Sequence, residues 1–311
     1  MDLHYLEIFN MVAKQESYKK ASEILHISQP ALSVQIKKLE EQIGLKLFNK
    51  IGNKICLSEN GSMLYEYTIK IFAIVEDLEN NISNQKGFIG GTLNIGGSNT
   101  PGTYILPHVI GEFKRIYPNI KFNLIISNTS EIAHLINNGT LDVAVNGGNC
   151  TYSNYIFAKK LLDDQLIVVA SPKNPCCDKE YISNADLQEL SFIVHKTDSQ
   201  LYTYYKNFIE ELNITENISM SLGSIESIKQ AVCENLGVSL MPYISVKSEL
   251  EMGLLKKLNL KQNNFTYPYS LIYNKNKYLS VTAKKFIEIL QNSFNDLEND
   301  KYFKYRKALI Q

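Results

Sequence analysis

The 311-residue sequence is almost without arginine: Arg115 and Arg306 are the only two, and lysine carries nearly all of the positive charge. It also has no net charge, since Lys plus Arg and Asp plus Glu number 32 each. Any affinity for nucleic acid or a membrane must therefore come from a local patch, not from the field of the whole molecule. No apolar run approaches the ~20 residues needed to span a bilayer. The opening segment MDLHYLEIFNMVAKQ lacks the basic start and small-residue cleavage site of a signal peptide. The expectation is a cytoplasmic chain without a membrane partner.

The five cysteines (Cys56, Cys150, Cys176, Cys177, Cys233) form no C-x-x-C pair and have no histidine at ligand spacing. Neither a zinc site nor a disulfide scaffold is indicated, and no metal or cofactor is expected. Free thiols are the default; a redox role for Cys150, or for the adjacent Cys176 and Cys177, would require exposed thiols of low pKa. Also missing are G-x-S-x-G, a Walker-type loop, H-E-x-x-H and any nucleophile–base constellation, so nothing asks for catalysis. The length allows two or three compact units, each with its own core.

Within the first sixty residues, Leu3, Leu6, Phe9 and Val12 recur at helical spacing. A second helix can start at Ser17 and carry Ala21, Ile24 and Leu25 toward the same core. After His26-Ile27, Ser28 can cap a third helix with Pro30 in its first turn, where a missing N–H is harmless. Leu32, Ile36, Leu39 and Ile43 would line its inner face, leaving Gln29, Ser33 and Lys37 as an opposite polar stripe. Two helices joined by a short turn, the second presenting hydrogen-bonding side chains near its start, suit reading of a DNA major groove. A small helical bundle with a merely solvated outer face would show the same stripe. LFNKIGNKICLS adds a short hairpin turning at Gly52-Asn53, with Lys46, Lys50 and Lys54 where a wing would meet phosphates.

SYKKASEILHISQPALSVQIKKLEEQIGLKLFNK, followed by LSENG, resembles the signature of LysR-type transcriptional regulators. That resemblance implies that Ser28, Gln29, Pro30, Ser33 and Lys37 belong to the recognition helix and Lys50 and Lys54 to the wing, the partner being a promoter inverted repeat in double-stranded DNA. Lys50 stands where the family usually has Arg, Ser58 where it has Thr, and Asn60 where Ala is common. An ammonium at 50 is a point charge without the planar guanidinium fork, so a phosphate contact is the expectation there.

Ser58 can cap a helix running to about Lys86, in which Leu64, Tyr67, Ile71, Ile74 and Leu78 alternate spacings of 3 and 4, the period of a coiled-coil seam. A homodimer interface is one use of that stripe, and packing on the chain's own C-terminal part is the other. Homotetramers, and RNA polymerase as a further partner, follow from the resemblance alone.

From KGFIGGTLNIGGS onward, strands and helices alternate, as expected for α/β units with largely parallel sheets. Crossings near Asp163-Asp164 and Asn263-Thr266 would divide the region into two lobes, and the resemblance implies a periplasmic-binding-protein-like arrangement. The expected fold class is therefore multidomain α/β: an N-terminal all-α winged helix-turn-helix over 1–58, a linker helix over 59–88, lobe I over 89–162 and 267–292, lobe II over 163–266, and a tail over 293–311. Ligands of such sheets bind beyond the strand ends, near helix N-termini. Ser98, Asn99, Thr100, Pro101, Gly102 and Thr103 form the first candidate, with the amides of Gly102 and Thr103 cradling a carboxylate or small oxyanion. The resemblance adds Asn128, Gly147, Gly148, His195, Thr197 and Ser199 as effector contacts, and Ser224 and Glu226 begin another helix facing the same crevice. GSNTPGTYILP most resembles a subset of the family that includes regulators of sulfur and selenium metabolism. A transport-type solute-binding protein would share the two lobes but should carry a secretion signal and lack SQPALS.

Overall fold

The computed structural model describes residues 2–51, 54–85, 91–261 and 264–299. The expected turn at Gly52-Asn53 and the tail beyond Asn299 lie outside the described residues. The chain divides into two compact units, Met1–Ile89 with Asn276–Val281, and Gly90–Lys275 with Thr282–Gln311. Among the described residues no helix is long and apolar enough to cross a membrane.

The first unit contains α1 (Leu3–Gln15), α2 (Tyr18–Leu25), α3 (Gln29–Ile43), the hairpin β1 (Phe48–Ile51) and β2 (Lys54–Leu57), and α4 (Glu59–Gln85). Each short helix starts where a side chain can accept an unpaired backbone N–H: Ser17 caps α2 and Ser28 caps α3. Leu6, Phe9 and Val12 of α1, Ala21 of α2, and Leu32, Ile36 and Leu39 of α3 form one core. Two side chains expected in it face water instead, Leu3 at 51% and Ile24 at 48% exposure. Ile8 supplies the extra buried side chain of α1, whereas Leu3 stands in the first turn, ahead of the packed stretch. Gly44 ends α3 at φ +75°, a backbone conformation that disfavours a β-carbon.

Helix α4 has 27 residues, about 40 Å at the usual rise. Its five seam positions do not form one free stripe. Leu64 and Ile71 pack against the core of the first unit together with Tyr65 and Phe72, while Tyr67, Ile74 and Leu78 are 52–58% exposed. The 3.6-residue turn sets Leu64 and Ile71 on one flank and Tyr67 and Ile74 on the other, and only the first meets α1 to α3; Leu78 stands about two turns beyond Ile71, past that core.

The second unit runs β3 (Thr92–Ser98), α5 (Asn99–Tyr104), α6 (Leu106–Ile116), β4 (Lys121–Ser127), α7 (Thr129–Asn137), β5 (Val143–Gly147), β6 (Ile156–Ala170), α8 (Asn184–Gln188), β7 (Phe192–His195), α9 (Gln200–Glu211), β8 (Ile218–Leu222), α10 (Ile225–Cys233), β9 (Ser239–Pro242), α11 (Tyr243–Glu251), β10 (Lys256–Lys257), β11 (Thr266–Asn274) and α12 (Val281–Asn299). The main sheet is ordered β10-β6-β11-β5-β3-β4, with β9 also on β6. Among the described residues, only the β3–β4, β3–β5 and β7–β8 ladders are parallel; every ladder made by β6 or β11 is antiparallel. The expectation of largely parallel sheets is corrected to a mixed sheet. The direction of a strand that returns through the sheet is set by chain path, which local composition does not record.

The first expected crossing is not a break. β6 continues through Asp163-Asp164 and changes partners, pairing with β11 as far as Gln165 and with β9 from Leu166. The second crossing includes residues outside those described. Helix α12 runs past the expected lobe boundary to Asn299 and buries Phe294 near Tyr269, with ring centroids 6.4 Å apart.

Candidate functional site

Two surfaces gather the residues singled out by sequence, one in each unit. In the first, Ser28, Gln29, Pro30, Ser33 and Lys37 are all exposed on the outer face and N-terminal half of α3. Ser28 Oγ accepts the Ala31 N–H at 3.4 Å, holding the first turn open to solvent on its far side. Lys37 meets Glu41 at 3.8 Å, but both side chains are largely exposed, so the pair holds Lys37 weakly and leaves it able to swing away. Val34, 54% exposed, adds an apolar member that the polar-stripe reading missed.

One side chain pins the hairpin to this helix and another pins it to the start of α4. Glu40 of α3 accepts the Leu47 N–H at 2.7 Å and the Phe48 N–H at 3.4 Å. Ser58 donates to Lys46 O at 2.6 Å and accepts the Gly61 N–H at 2.9 Å, so one hydroxyl anchors the hairpin and caps α4. Its departure from threonine keeps the hydroxyl. Phe48 packs against Phe9 and Tyr18, and burial with the nearby Glu40 pushes the Tyr18 phenol up to about 12. Between the start of α2, the start of α3 and the hairpin lies a hollow of about 520 Å³ lined by Ser17, Lys19, Gln29, Asn49 and Lys50, among others. Lys50 is exposed; Lys54 lies in β2, and its side chain is outside what is described. The arrangement offers amide, hydroxyl and ammonium groups along one convex helix with a basic strand beside it, chemistry suited to base edges and phosphates.

In the second unit, a narrow cleft of about 20 Å³ is lined by Ser98, Asn99, Thr100, Asn128, Thr129, His195, Ser199, Gln200, Leu201, Ile225 and Tyr267. That volume holds about one water. Ser98 closes β3 and its Oγ accepts the Gly147 N–H at 2.8 Å. Asn128 caps α7 by accepting the Glu131 N–H at 2.8 Å, and Ser199 caps α9 by accepting the Tyr202 N–H at 3.1 Å. Asn99 Nδ2 lies 3.5 Å from His195 Nε2. His195 is only 6% exposed, and its Nδ1 is buried without a hydrogen-bond partner. Burial holds the imidazole below its ordinary pKa.

Six of the expected effector residues therefore line the cleft: Ser98, Asn99, Thr100, Asn128, His195 and Ser199. Gly147 and Gly148 stand behind it. A β-carbon on Gly147 would come within 2.6 Å of the Tyr267 ring, and one on Gly148 within 2.8 Å of Gln200, so the absence of side chains lets both lining residues settle.

Apart from these two glycines, five expected residues are not in the lining. Pro101 and Gly102 are buried, Gly102 against Gly97 and Ile126, and Thr103 and Thr197 are exposed elsewhere. The cradle by the amides of Gly102 and Thr103 is corrected for a plain reason. Helix α5 begins at Asn99, so the unpaired first-turn amides are those of Asn99 and Thr100, and Pro101 has none. Glu226 is also outside the lining: it accepts the Tyr104 hydroxyl and pairs with Lys229 at 3.1 Å. Lys229 is 5% exposed, also meets Glu249 at 2.7 Å, and lies 4.9 Å from the Tyr104 ring centroid. Thr129, Gln200, Leu201, Ile225 and Tyr267 were missed; the helix starts at Thr129, Gln200 and Ile225 were the available signal for three of them.

Beneath the cleft, Thr100 hydrogen-bonds Tyr269. Tyr269 in turn donates to Asp164 Oδ2 at 3.0 Å. Asp164 is fully buried where β6 changes partners and also accepts the N–H groups of Gln165, at 2.8 Å, and Ile244, at 3.2 Å. Burial raises its carboxyl from 3.8 to about 7, against the opposing pull of these hydrogen bonds. Burial pushes the Cys150 and Cys177 thiols up, away from the reactive thiolate. Among the described residues no group of three or more His, Cys, Asp or Glu is placed to hold a metal.

Residues 3–62 match the family of bacterial regulatory helix-turn-helix proteins of lysR type, and residues 86–295 match the LysR substrate binding domain. A "Probable RuBisCO transcriptional regulator" of Cyanophora paradoxa is 32% identical over 99% of this chain and 97% of its own length. Among solved structures, full-length OxyR from Pseudomonas aeruginosa is similar at a TM-score of 0.70 and 21% identity, over 94% of each chain. Full-length CbnR complexed with its target DNA is similar at 0.61 and 18% identity, over 94% of this chain and 100% of that one. At those identities the structural likenesses speak for the fold.

Proposed function

The chain belongs to the LysR family of DNA-binding transcriptional regulators and carries an effector-binding domain, not a catalytic one; from that premise we propose which residues read DNA, which pair two chains and which receive the effector. Gln29, Ser33 and Lys37 of α3 enter the major groove, with Ser28 and Pro30 setting the helix start. Lys50 and Lys54 of the hairpin hold phosphates. The observation that carries this reading is the exposed polar start of α3 beside a hairpin fixed to that helix by Glu40 and to α4 by Ser58. Glutamine pairs bidentately with adenine and serine serves either base type, so Gln29 and Ser33 supply specificity and the lysines supply position.

Two chains pair through the exposed side of α4, where Tyr67, Ile74 and Leu78 present apolar surface to solvent. A homodimer carries two recognition helices to the halves of an inverted repeat, and two weak half-sites then bind as one strong site. Tetramers and contact with RNA polymerase rest on the family resemblance. A protein acting on promoter DNA works in the compartment that holds it, which is the basis for a cytoplasmic assignment. The effector, a carboxylate or small oxyanion, occupies the cleft between β3–α5 and β7–α9 and biases the arrangement of the two lobes that β6 joins.

The test is fluorescence anisotropy of the full chain on duplex DNA from upstream of its own gene. Binding should weaken steeply with salt, and Lys50→Ala should reduce the slope by about 1 per phosphate contact removed. Ser33→Trp should abolish specific binding and leave the dimer intact. Salt-independent binding, or an unchanged footprint for Ser33→Trp, would remove the assignment of α3.

A further inference from the structure

The cleft lining contains no permanently charged side chain: seven hydroxyl or amide residues, two aliphatic ones, Tyr267 and His195. Three of its polar groups are nonetheless biased in one direction, whereas Thr129 already gives its hydroxyl to Gly147 O at 3.5 Å. Ser98 and Ser199 each already accept a backbone N–H, and so does the side-chain oxygen of Asn128. A hydroxyl with an accepting lone pair filled has its own O–H left to give, and an amide with its oxygen engaged has its NH₂. The cleft thus presents donors. The volume of about 20 Å³ favours a ligand of few atoms, since a ring system would require the lobes to part widely.

An anion buried among neutral donors still lacks a countercharge, and burying a charge unpaired is costly. His195 is the group able to supply one. It is nine-tenths buried, it lines the cleft, and its Nδ1 has no partner although the atom is out of contact with water. The charged groups near it on its own loop are Asp198 and Lys196, of opposite effect and both exposed, and the Lys196 backbone also interacts with the ring in favour of its charged form. From the elements packed around β7, Glu226 and Lys229 of α10 are paired with each other. Across the cleft, α5 contributes neutral Asn99 and Thr100, and β11 contributes Tyr267, whose phenol burial holds protonated. Burial disfavours the charged form of His195 and holds its pKa below the ordinary value.

Resting on the effector reading given above, we infer that the cleft takes a compact anion rich in acceptor oxygens and that His195 takes up a proton from solvent as the anion binds. The imidazolium then supplies the missing positive charge, and its Nδ1–H gains the acceptor it lacks. Selection follows from this arrangement: a neutral polyol of the same size recruits no proton and is bound less tightly as the pH falls relative to the anion.

The probes are potassium sulfate, sodium acetate and glycerol, titrated by calorimetry into the full chain between pH 5.5 and 8.5 in buffers of different ionisation enthalpy. For sulfate or acetate the wild type should take up close to one proton per site near pH 7.5, and its affinity should fall up to tenfold per pH unit through the upper part of the range. His195→Gln, which keeps an amide donor but cannot titrate, should bind weakly with no buffer dependence. Anion binding by the wild type without proton uptake, or an unchanged pH profile in His195→Gln, overturns the inference. So does glycerol binding as tightly as the anions, or failure of both anions to bind across the range. Buffer dependence of the wild type needs no variant, so misfolding of His195→Gln leaves the test intact. Retained salt-sensitive DNA binding in the same preparation separates failure here from failure of the regulator assignment.

Discussion

Replacing Asp164 by Asn should flatten the pH dependence of stability of the sensing unit. The carboxyl is fully buried and raised from 3.8 to about 7. Because the folded-state value is the higher one, the proton is held more tightly by the folded chain. The associated stability is fully present below about pH 4, declines as pH rises, and is gone above about pH 7. At 1.36 kcal/mol per pKa unit the decline is on the order of 4 kcal/mol, or roughly 10 °C in Tm for a unit of this size. Asparagine keeps one acceptor oxygen for the Ile244 N–H and Tyr269 hydroxyl but turns an amide donor toward the Gln165 N–H, a pH-independent loss of about 1 kcal/mol. Differential scanning calorimetry of the full chain from pH 4 to pH 8 should therefore show two curves that cross between about pH 4 and pH 5, the variant slightly less stable at pH 4 and more stable by about 3 kcal/mol at pH 8. Parallel curves would refute the reasoning, as would a wild-type transition that rises relative to the variant toward pH 8.

Two further perturbations test other parts of the structure. Ile74→Asp with Leu78→Asp places two charges on the exposed flank of α4; light scattering should show monomers at concentrations where the wild type is dimeric, with the first unit still folded because neither side chain belongs to its core, and a persisting dimer would place the pairing surface elsewhere. Gly61→Ala would set a β-carbon 2.0 Å from Leu47 O, forcing the hairpin from its anchor at Ser58; circular dichroism melts should show the DNA-binding unit destabilised by about 2 kcal/mol or more, and an unchanged melt would contradict the described contact.

The three short helices and the hairpin were legible because local signals agreed: Ser17 and Ser28 as caps, Pro30 in a first turn, and apolar positions at helical spacing. Leu3 and Ile24 misled because periodicity marks a face but not where along it the partner helices stop. The α4 stripe was visible as a pattern, yet its division between Leu64 and Ile71 inward and Ile74 and Leu78 outward depends on which flank meets the core and on where along the helix that core ends. In β6 the segment IFAKKLLDD carries paired charges that hide the strand, and its antiparallel direction is a property of the chain path. The cleft was half legible. Ser98, Asn128 and Ser199 announce themselves as helix caps, whereas Tyr267 reaches the cleft from a distant strand. Glu226 fitted the pattern of a helix-start ligand and was diverted by the Lys229 ammonium, three residues on, and by the Tyr104 hydroxyl, which is far away in sequence.

The central claim is that the polar start of α3 sits in a DNA groove and is presented twice by a paired α4. Hydroxyl-radical footprinting of the full chain on its promoter tests it most directly. The account predicts two protected patches on one face of the duplex, separated by a whole number of turns of about 10.5 base pairs, with simultaneous protection lost when five base pairs are inserted between them. A single patch, or two that survive the half-turn insertion undiminished, would contradict it.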